Sequence, residues 1–203
     1  MATLTKLKLG PRDHDRPLSR EEYQSAEYQE GYRYELIHGR LYVSPLPRIP
    51  HDRTVRYIDR KLDDYSREHP EVMNMVSTAA EVHVPPESPD ADSDTYVQPD
   101  IAAYKDVPKR HDLQWEDISP FLVVEVLSPN NPEKDLERNV VVYHQVPTIK
   151  EYWIVDGITD PERPSMTVFR RWGRQWRKIA VPFDTVYTTP LLPGFELRMN
   201  PWA

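Results

Sequence analysis

The spacing of apolar and polar residues divides the chain into short elements. Ser19-x-x-Glu22 is a capping-box pattern and predicts a short helix to about Tyr28, with Gly31 beyond its end. Tyr34, Leu36, Leu41 and Val43 alternate with polar residues on either side of His38-Gly39, which predicts a tight hairpin over 32–44. Val55, Ile58, Leu62 and Tyr65 form one apolar stripe on a charged segment, so residues 51–67 read as an amphipathic helix that ends before Pro70. Strands are expected over 72–84, 98–104 and 121–127. The last of these, Phe-Leu-Val-Val-Glu-Val-Leu, is the most apolar run and reads as a strand buried on both faces. Asn131 as N-cap, Pro132 at the first helical position and Glu133 and Asp135 in the first turn predict a second main helix, with Leu136, Val140 and Tyr143 inward. A buried strand at 152–155, a hairpin of 166–172 with 175–181 around Gly173, and a proline-punctuated segment packed along an edge over 188–202 complete the chain. Residues 1–17 are charged, end in Pro17 and read as a mobile arm, leaving 18–203 as one domain. The element order gives an α/β or α+β domain, with helices packed on a central mixed sheet.

Composition narrows the chemistry. With no cysteine among 203 residues, a disulfide framework, a thiolate metal site and a cysteine nucleophile are all excluded. Six glycines against 21 prolines leave no glycine-rich phosphate cradle, and neither GxGxxG nor GxxxxGK[ST] occurs. No apolar run approaches the ~18 residues of a membrane span, and no apolar h-region precedes Arg16, so a cytoplasmic protein is expected. The net charge of −7 argues against a sequence-blind nucleic-acid coat, but it leaves room for a local basic groove.

Two acids stand out against this background. Glu125 interrupts the most apolar run, and a buried carboxylate costs several kcal/mol unless paired, protonated or bound to metal. Asp100 opens another apolar strand directly after Pro99. Neighbouring strands carrying one acid each can bring both to one divalent ion, and hard oxygen ligands suit Mg²⁺ or Mn²⁺. The alternatives are a strand-end Glu125 paired with an arginine and an Asp100 that merely shapes a turn.

Taken in order, Tyr34-Glu35-Leu36-Ile37-His38-Gly39-Arg40, Ser44-Pro45, His51, Pro99-Asp100, Val124-Glu125-Val126-Leu127-Ser128-Pro129, Asp135, Tyr143 and Glu151 to Asp156 resemble the Uma-two-type restriction endonuclease family of the PD-(D/E)XK nuclease superfamily. The resemblance spans about residues 32–197 and rests on the order and spacing of these motifs. It implies a restriction-endonuclease-like core and metal-dependent phosphodiester hydrolysis, with Asp100 and Glu125 holding Mg²⁺ or Mn²⁺. It offers Glu35 as a third carboxylate, the alternative being a hairpin glutamate paired with Arg33 or Arg40. His51 matches a histidine that could bond the site or a phosphate; otherwise it is a solvated residue at a helix start.

The chain departs from the pattern at two places. The superfamily lysine two positions after the glutamate is Leu127 here, and i and i+2 share a strand face. The replacement lysine of such relatives, four residues after the aspartate, is Asn139. Lys134 and Arg138 are near in sequence and are candidate substrate contacts, although Arg138 stands about 100° round a regular helix from Asn139. These departures motivate a second reading, a nuclease-fold protein with weakened or lost chemistry that acts in nucleic-acid binding or assembly. DNA is the expected partner, and a homodimer suits the cutting of both strands.

Three further features carry less. Arg163, Arg170, Arg171, Arg174, Arg177 and Lys178, interleaved with Phe169, Trp172 and Trp176, suit a nucleic-acid strand, but they equally suit a solvated hairpin with aromatic cross-strand pairs. Glu87, Asp90, Asp92 and Asp94 lack EF-hand spacing and read as a solvated loop. A metal-free carbohydrate or peptide binder using the tryptophans and tyrosines is a remaining class.

Overall fold

A computed structural model describes residues 6–46, 48–85, 94–129 and 132–203. In chain order the strands are β1 (Lys8–Leu9), β2 (Glu27–Tyr28), β3 (Tyr32–Ile37), β4 (Arg40–Pro45), β5 (Met75–Ser77), β6 (Val82–Val84), β7 (Thr95–Val97), β8 (Ile101–Tyr104), β9 (Leu122–Val126), β10 (Glu151–Asp156), β11 (Ser165–Trp172), β12 (Gln175–Val181), β13 (Val186–Thr189) and β14 (Leu192–Arg198). The helices are α1 (Arg20–Ser25), α2 (Ile49–Glu68) and α3 (Asn139–His144), the last preceded by a π turn at Lys134–Arg138. The elements group into two compact units, Met1–Leu46 with Glu81–Gln98, and Pro47–Ala80 with Pro99–Ala203. Among the described residues no helix is long and apolar enough to cross a membrane.

In the first unit, the Ser19 hydroxyl accepts the Glu22 amide (3.2 Å) while the Glu22 carboxylate accepts the Ser19 amide (2.8 Å), closing the capping box. The helix stops at Ser25 rather than Tyr28, because Ala26 is extended and Glu27–Tyr28 pair in parallel with Lys8–Leu9. The described part of the expected arm, residues 6–17, thus carries β1 and a 3-10 turn at Pro11–Asp13. The predicted hairpin forms as β3–β4, with His38 (φ 48°) and Gly39 (φ 69°) both left-handed, as a two-residue type I′ turn demands. The order β4-β3-β7-β6 completes a four-stranded sheet. Its core is Leu36, Leu41, Tyr34 and Tyr96 with Leu9, Leu18 and Tyr23.

The second unit is built on a six-stranded sheet of order β12-β11-β10-β9-β8-β5, antiparallel except between β9 and β10. Leu122, Val124 and Val126 of β9 join Ile101, Ala103, Trp153 and Val155 in a core closed by Val55, Ile58, Leu62 and Tyr65 of α2. The alternate residues of β9, Val123 and Glu125, face the opposite side with Tyr152, whose ring meets Tyr143 of α3 (centroids 4.9 Å apart). Both faces are covered, which is why all five residues of β9 are buried. Residues 188–202 do not lie along an edge. They contribute to the β13–β14 hairpin, whose Tyr187, Leu192, Phe195 and Leu197 enter the α2-side core.

Two expected strands divide. Residues 72–84 supply β5 to one sheet and β6 to the other, and residues 98–104 contain only β8, with β7 ending at Val97. Pro99, with no amide to give a ladder, stands at the second break. Leu136, expected inward, is 46% exposed. The inward face is Asp135, Asn139, Val142 and Tyr143, and hydrogen bonds among its polar members override the apolar pattern. The expected N-cap Asn131 and the acids Glu87, Asp90 and Asp92 lie outside the described residues, while Asp94 stands 3.7 Å from His83 Nε2.

A further buried acid opens the family-like motif Glu151 to Asp156. Glu151, on the α2-side face of β10 with Trp153, accepts from Arg170 Nε and Thr189 Oγ1 (both 2.6 Å), Trp153 Nε1 (2.8 Å) and the Tyr187 hydroxyl (3.0 Å). It ties β10, β11 and the β13–β14 hairpin together. Glu151→Ala strips four donors of their acceptor and leaves a half-buried guanidinium without its acid, so a loss of about 3 kcal/mol in urea unfolding is expected. An unchanged midpoint would show that the cluster contributes little.

Candidate active site

The site begins with strand register. Ile101 pairs with Val124 and Ala102 with Val123 in the antiparallel β8–β9 ladder, so Asp100, one residue before β8, falls beside Glu125. The two are locked by exchanged bonds. The Asp100 amide donates to Glu125 Oε2 (3.3 Å), and the Val126 amide donates to Asp100 Oδ2 (2.8 Å). Both acids are buried, Asp100 at 3% and Glu125 at 1% exposure. His51, on the first turn of α2, places Nε2 3.0 Å from the same Asp100 Oδ2, and among the described residues its buried Nδ1 has no hydrogen-bond partner.

The π turn and α3 supply the other wall. Asn139 Nδ2 donates to Glu125 Oε1 and to Asp135 Oδ1, each at 3.0 Å. The Tyr143 hydroxyl donates to the same Glu125 Oε1 (2.9 Å), and the Tyr152 hydroxyl donates to the Asp135 carbonyl (2.9 Å). Burial, reinforced by the nearby Glu125, Asp135 and Asp100 carboxylates, holds the Tyr152 phenol well above its ordinary pKa, so it remains a donor. Arg138 is not turned away from Asn139: its Nε donates to Asn139 Oδ1 at 3.0 Å. Lys134 Nζ lies 3.7 Å from Asp135 Oδ1, with its side chain only 10% exposed. Cationic charge therefore reaches this network from the π turn. Leu127 is buried and bonds through its amide to the Val155 carbonyl (2.9 Å), so no charge enters from its position.

Asp100, Glu125, His51, Asn139, Lys134 and Arg138 thus belong to one connected set within the second unit. Glu35 lies in the first unit, buried on β3, where its carboxylate accepts the Gln98 amide (3.0 Å), while Arg40 pairs with Asp15 (3.3 Å). Asp135, expected as a first-turn acid, Tyr143, expected on the inner face of its helix, and Tyr152, expected in a buried strand, also join this network. For Asp135 and Tyr143 the shared signal is a spacing: 135, 139 and 143 recur every four residues, one face of a helix.

Two buried neighbouring carboxylates are the donor chemistry of a hard divalent cation. Among the described residues no three His, Cys, Asp or Glu side chains gather closely enough to hold an ion by themselves. Mg²⁺ characteristically takes one or two carboxylates and keeps several waters, so two acids are within its usual protein donor set. Removing the Tyr143 hydroxyl takes away a buried donor to Glu125. Tyr143→Phe is expected to lower unfolding free energy by about 1–2 kcal/mol in denaturant titration, and no change would mean that Glu125 is held by its other partners.

Comparison with known proteins agrees with this architecture. The chain matches the Uma2 family, described as putative restriction endonucleases, over residues 20–200. No curated protein matches it in sequence. Among solved structures it is similar to a putative nuclease of DUF820 from Anabaena variabilis ATCC 29413, with a TM-score of 0.69 and 16% identity over 90% of this chain and 96% of that one. At that identity the likeness shows a shared fold. The match over residues 20–200 shows that the chain belongs to the Uma2 family of putative restriction endonucleases.

Proposed function

We propose that the protein is a metal-dependent DNA endonuclease whose Asp100 and Glu125 hold Mg²⁺ or Mn²⁺. The observation that carries this reading is the register-locked pair of buried carboxylates, Asp100 bonded to the Val126 amide and Glu125 to the Asp100 amide. When bound, such an ion would polarise a phosphoryl oxygen and lower the pKa of an attacking water. The chain's own residues have distinct tasks around it. Asn139 and Tyr143 fix the rotamer of Glu125, so the carboxylate is set before substrate arrives. His51 orients Asp100 and gives the site an imidazole at its α2 wall. Lys134 and Arg138 offer positive charge to a scissile phosphate.

One feature favours a slow enzyme, or one that has lost its chemistry and kept a role in binding or assembly. Asn139 is neutral, yet it reaches both Glu125 and Asp135, where a lysine would place its charge against the carboxylate. Asparagine can hydrogen-bond a water or phosphate oxygen but cannot offset the charge that develops on it.

A plasmid nicking assay with Mn²⁺ separates these readings. The wild-type protein is expected to convert supercoiled plasmid to open circles, and Asp100→Ala to abolish this. Asn139→Lys is expected to raise the rate roughly tenfold to a hundredfold. Equal nicking by wild type and Asp100→Ala would reject the proposal. No nicking by wild type together with activity in Asn139→Lys would establish the weakened-nuclease reading.

A further inference from the structure

The β11–β12 hairpin is the most polarised part of the chain. Between Arg163 and Phe183 it carries Arg163, Arg170, Arg171, Arg174, Arg177 and Lys178 and no acid, in a protein of net charge −7. Two of these cations are committed internally. Arg170 is bound to Glu151 and to the Tyr187 hydroxyl. Arg171 donates to the carbonyls of Ile149, His144 and Val146 and lies over Trp176 (4.7 Å). Trp176 in turn donates to the Val140 carbonyl (2.9 Å), so this face of the hairpin is anchored to α3, the helix that carries Asn139.

The tip is different. Gly173 (φ 59°) and Arg174 form a two-residue turn between the paired Trp172 and Gln175. Trp172 is 72% exposed, and Arg174 and Arg177 are exposed. Among the described residues none of these three side chains has an acid, ring or hydrogen-bond partner. Register also sets Arg177 directly opposite Arg170. Like charges in that position destabilise a hairpin. Glu151 offsets the charge of Arg170, and nothing described offsets that of Arg177. Opposed residues share a face, as do residues two apart, so Trp172 and Arg177 stand on the same side of the hairpin. Charge on β12 also guards a sheet edge against adding a strand. Edge protection, however, gives no use to an indole held in solvent.

We propose that this tip, Trp172 with Arg174 and Arg177, is a nucleic-acid-binding surface: the guanidiniums take phosphates of one strand, and the indole stacks on an unpaired base. Guanidinium groups recognise phosphate through paired, charge-assisted hydrogen bonds, and tryptophan stacks on any base. The choice of polymer rests on the nuclease reading above, while the surface itself is independent of the metal site.

The test is fluorescence anisotropy with labelled single-stranded and duplex oligonucleotides, each as DNA and as RNA, in EDTA so that no strand is cut. Wild type is expected to bind single strands more tightly than duplexes. The double variant Arg174→Ala/Arg177→Ala should lower the slope of log affinity against log salt by about 1.4, the loss of two phosphate contacts on a single strand. Trp172→Ala should weaken single-strand binding about tenfold with its slope unchanged, and Trp172→Phe should restore most of it. All three positions are exposed, so unfolding midpoints should match wild type. Wild type that binds no oligonucleotide, or variants with wild-type affinity and slope, would overturn the proposal. So would variants that change only self-association, which would make the tip a contact between copies. Hairpin-dependent binding with no nicking by either wild type or Asn139→Lys would remove the nuclease reading and keep this surface; nicking with hairpin-independent binding would do the reverse.

Discussion

The site depends on the exchange of two amide bonds across the β8–β9 register. A carboxylate at Asp100 and another at Glu125 would repel each other and resist burial. The ladder makes their meeting tolerable, because each acid accepts a backbone amide from the segment that carries the other. Those amides meet the carboxylates because Asp100 precedes the first ladder pair, Ile101 with Val124. A one-residue slip would move Glu125 to the α2-side face, among Val55, Ile58 and Leu62, where the strand needs apolar residues. The core therefore enforces the register, and the register places the acids.

The second constraint comes from α3. Its inward face is polar at Asp135 and Asn139 and aromatic at Tyr143, so the helix docks through hydrogen bonds to Glu125 as well as through packing on Tyr152. Preceding it is a π turn, a geometry costly enough that it concentrates at functional sites. This turn carries Lys134 and Arg138, the two cations that reach the acidic network. The same sheet keeps a second buried acid, Glu151, on its other face, fully engaged by Arg170, Tyr187, Thr189 and Trp153. Glu125 and Glu151 are equally buried but differ in kind: one is bound into a structural cluster, and the other is set at the end of a ladder beside Asp100.

Much of this was legible in the sequence, for identifiable reasons. One acid inside the run 121–127 marks a buried carboxylate that must find partners, and glycines at 39 and 173 mark two-residue turns because of the positive φ they adopt. The rest hid where local pattern carries little information. Strands of three residues, such as β5, β6 and β7, are too short for a period, so their division between two sheets left no trace. Prolines at 190 and 193 read as punctuation, although β14 admits Pro193 within a two-stranded hairpin. Leu136 misled because helix-face assignment followed apolar residues, whereas this helix turns its polar side inward. Glu151 opens a strand and so resembles a surface acid.

Family membership and fold place the protein among nuclease relatives, and its own side chains determine whether the central pair holds an ion. Titration calorimetry with Mn²⁺, without nucleic acid, tests that claim most directly. The account predicts binding that is lost in both Asp100→Asn and Glu125→Gln, with each variant still folded. Equal heats from the wild type and both variants would contradict it.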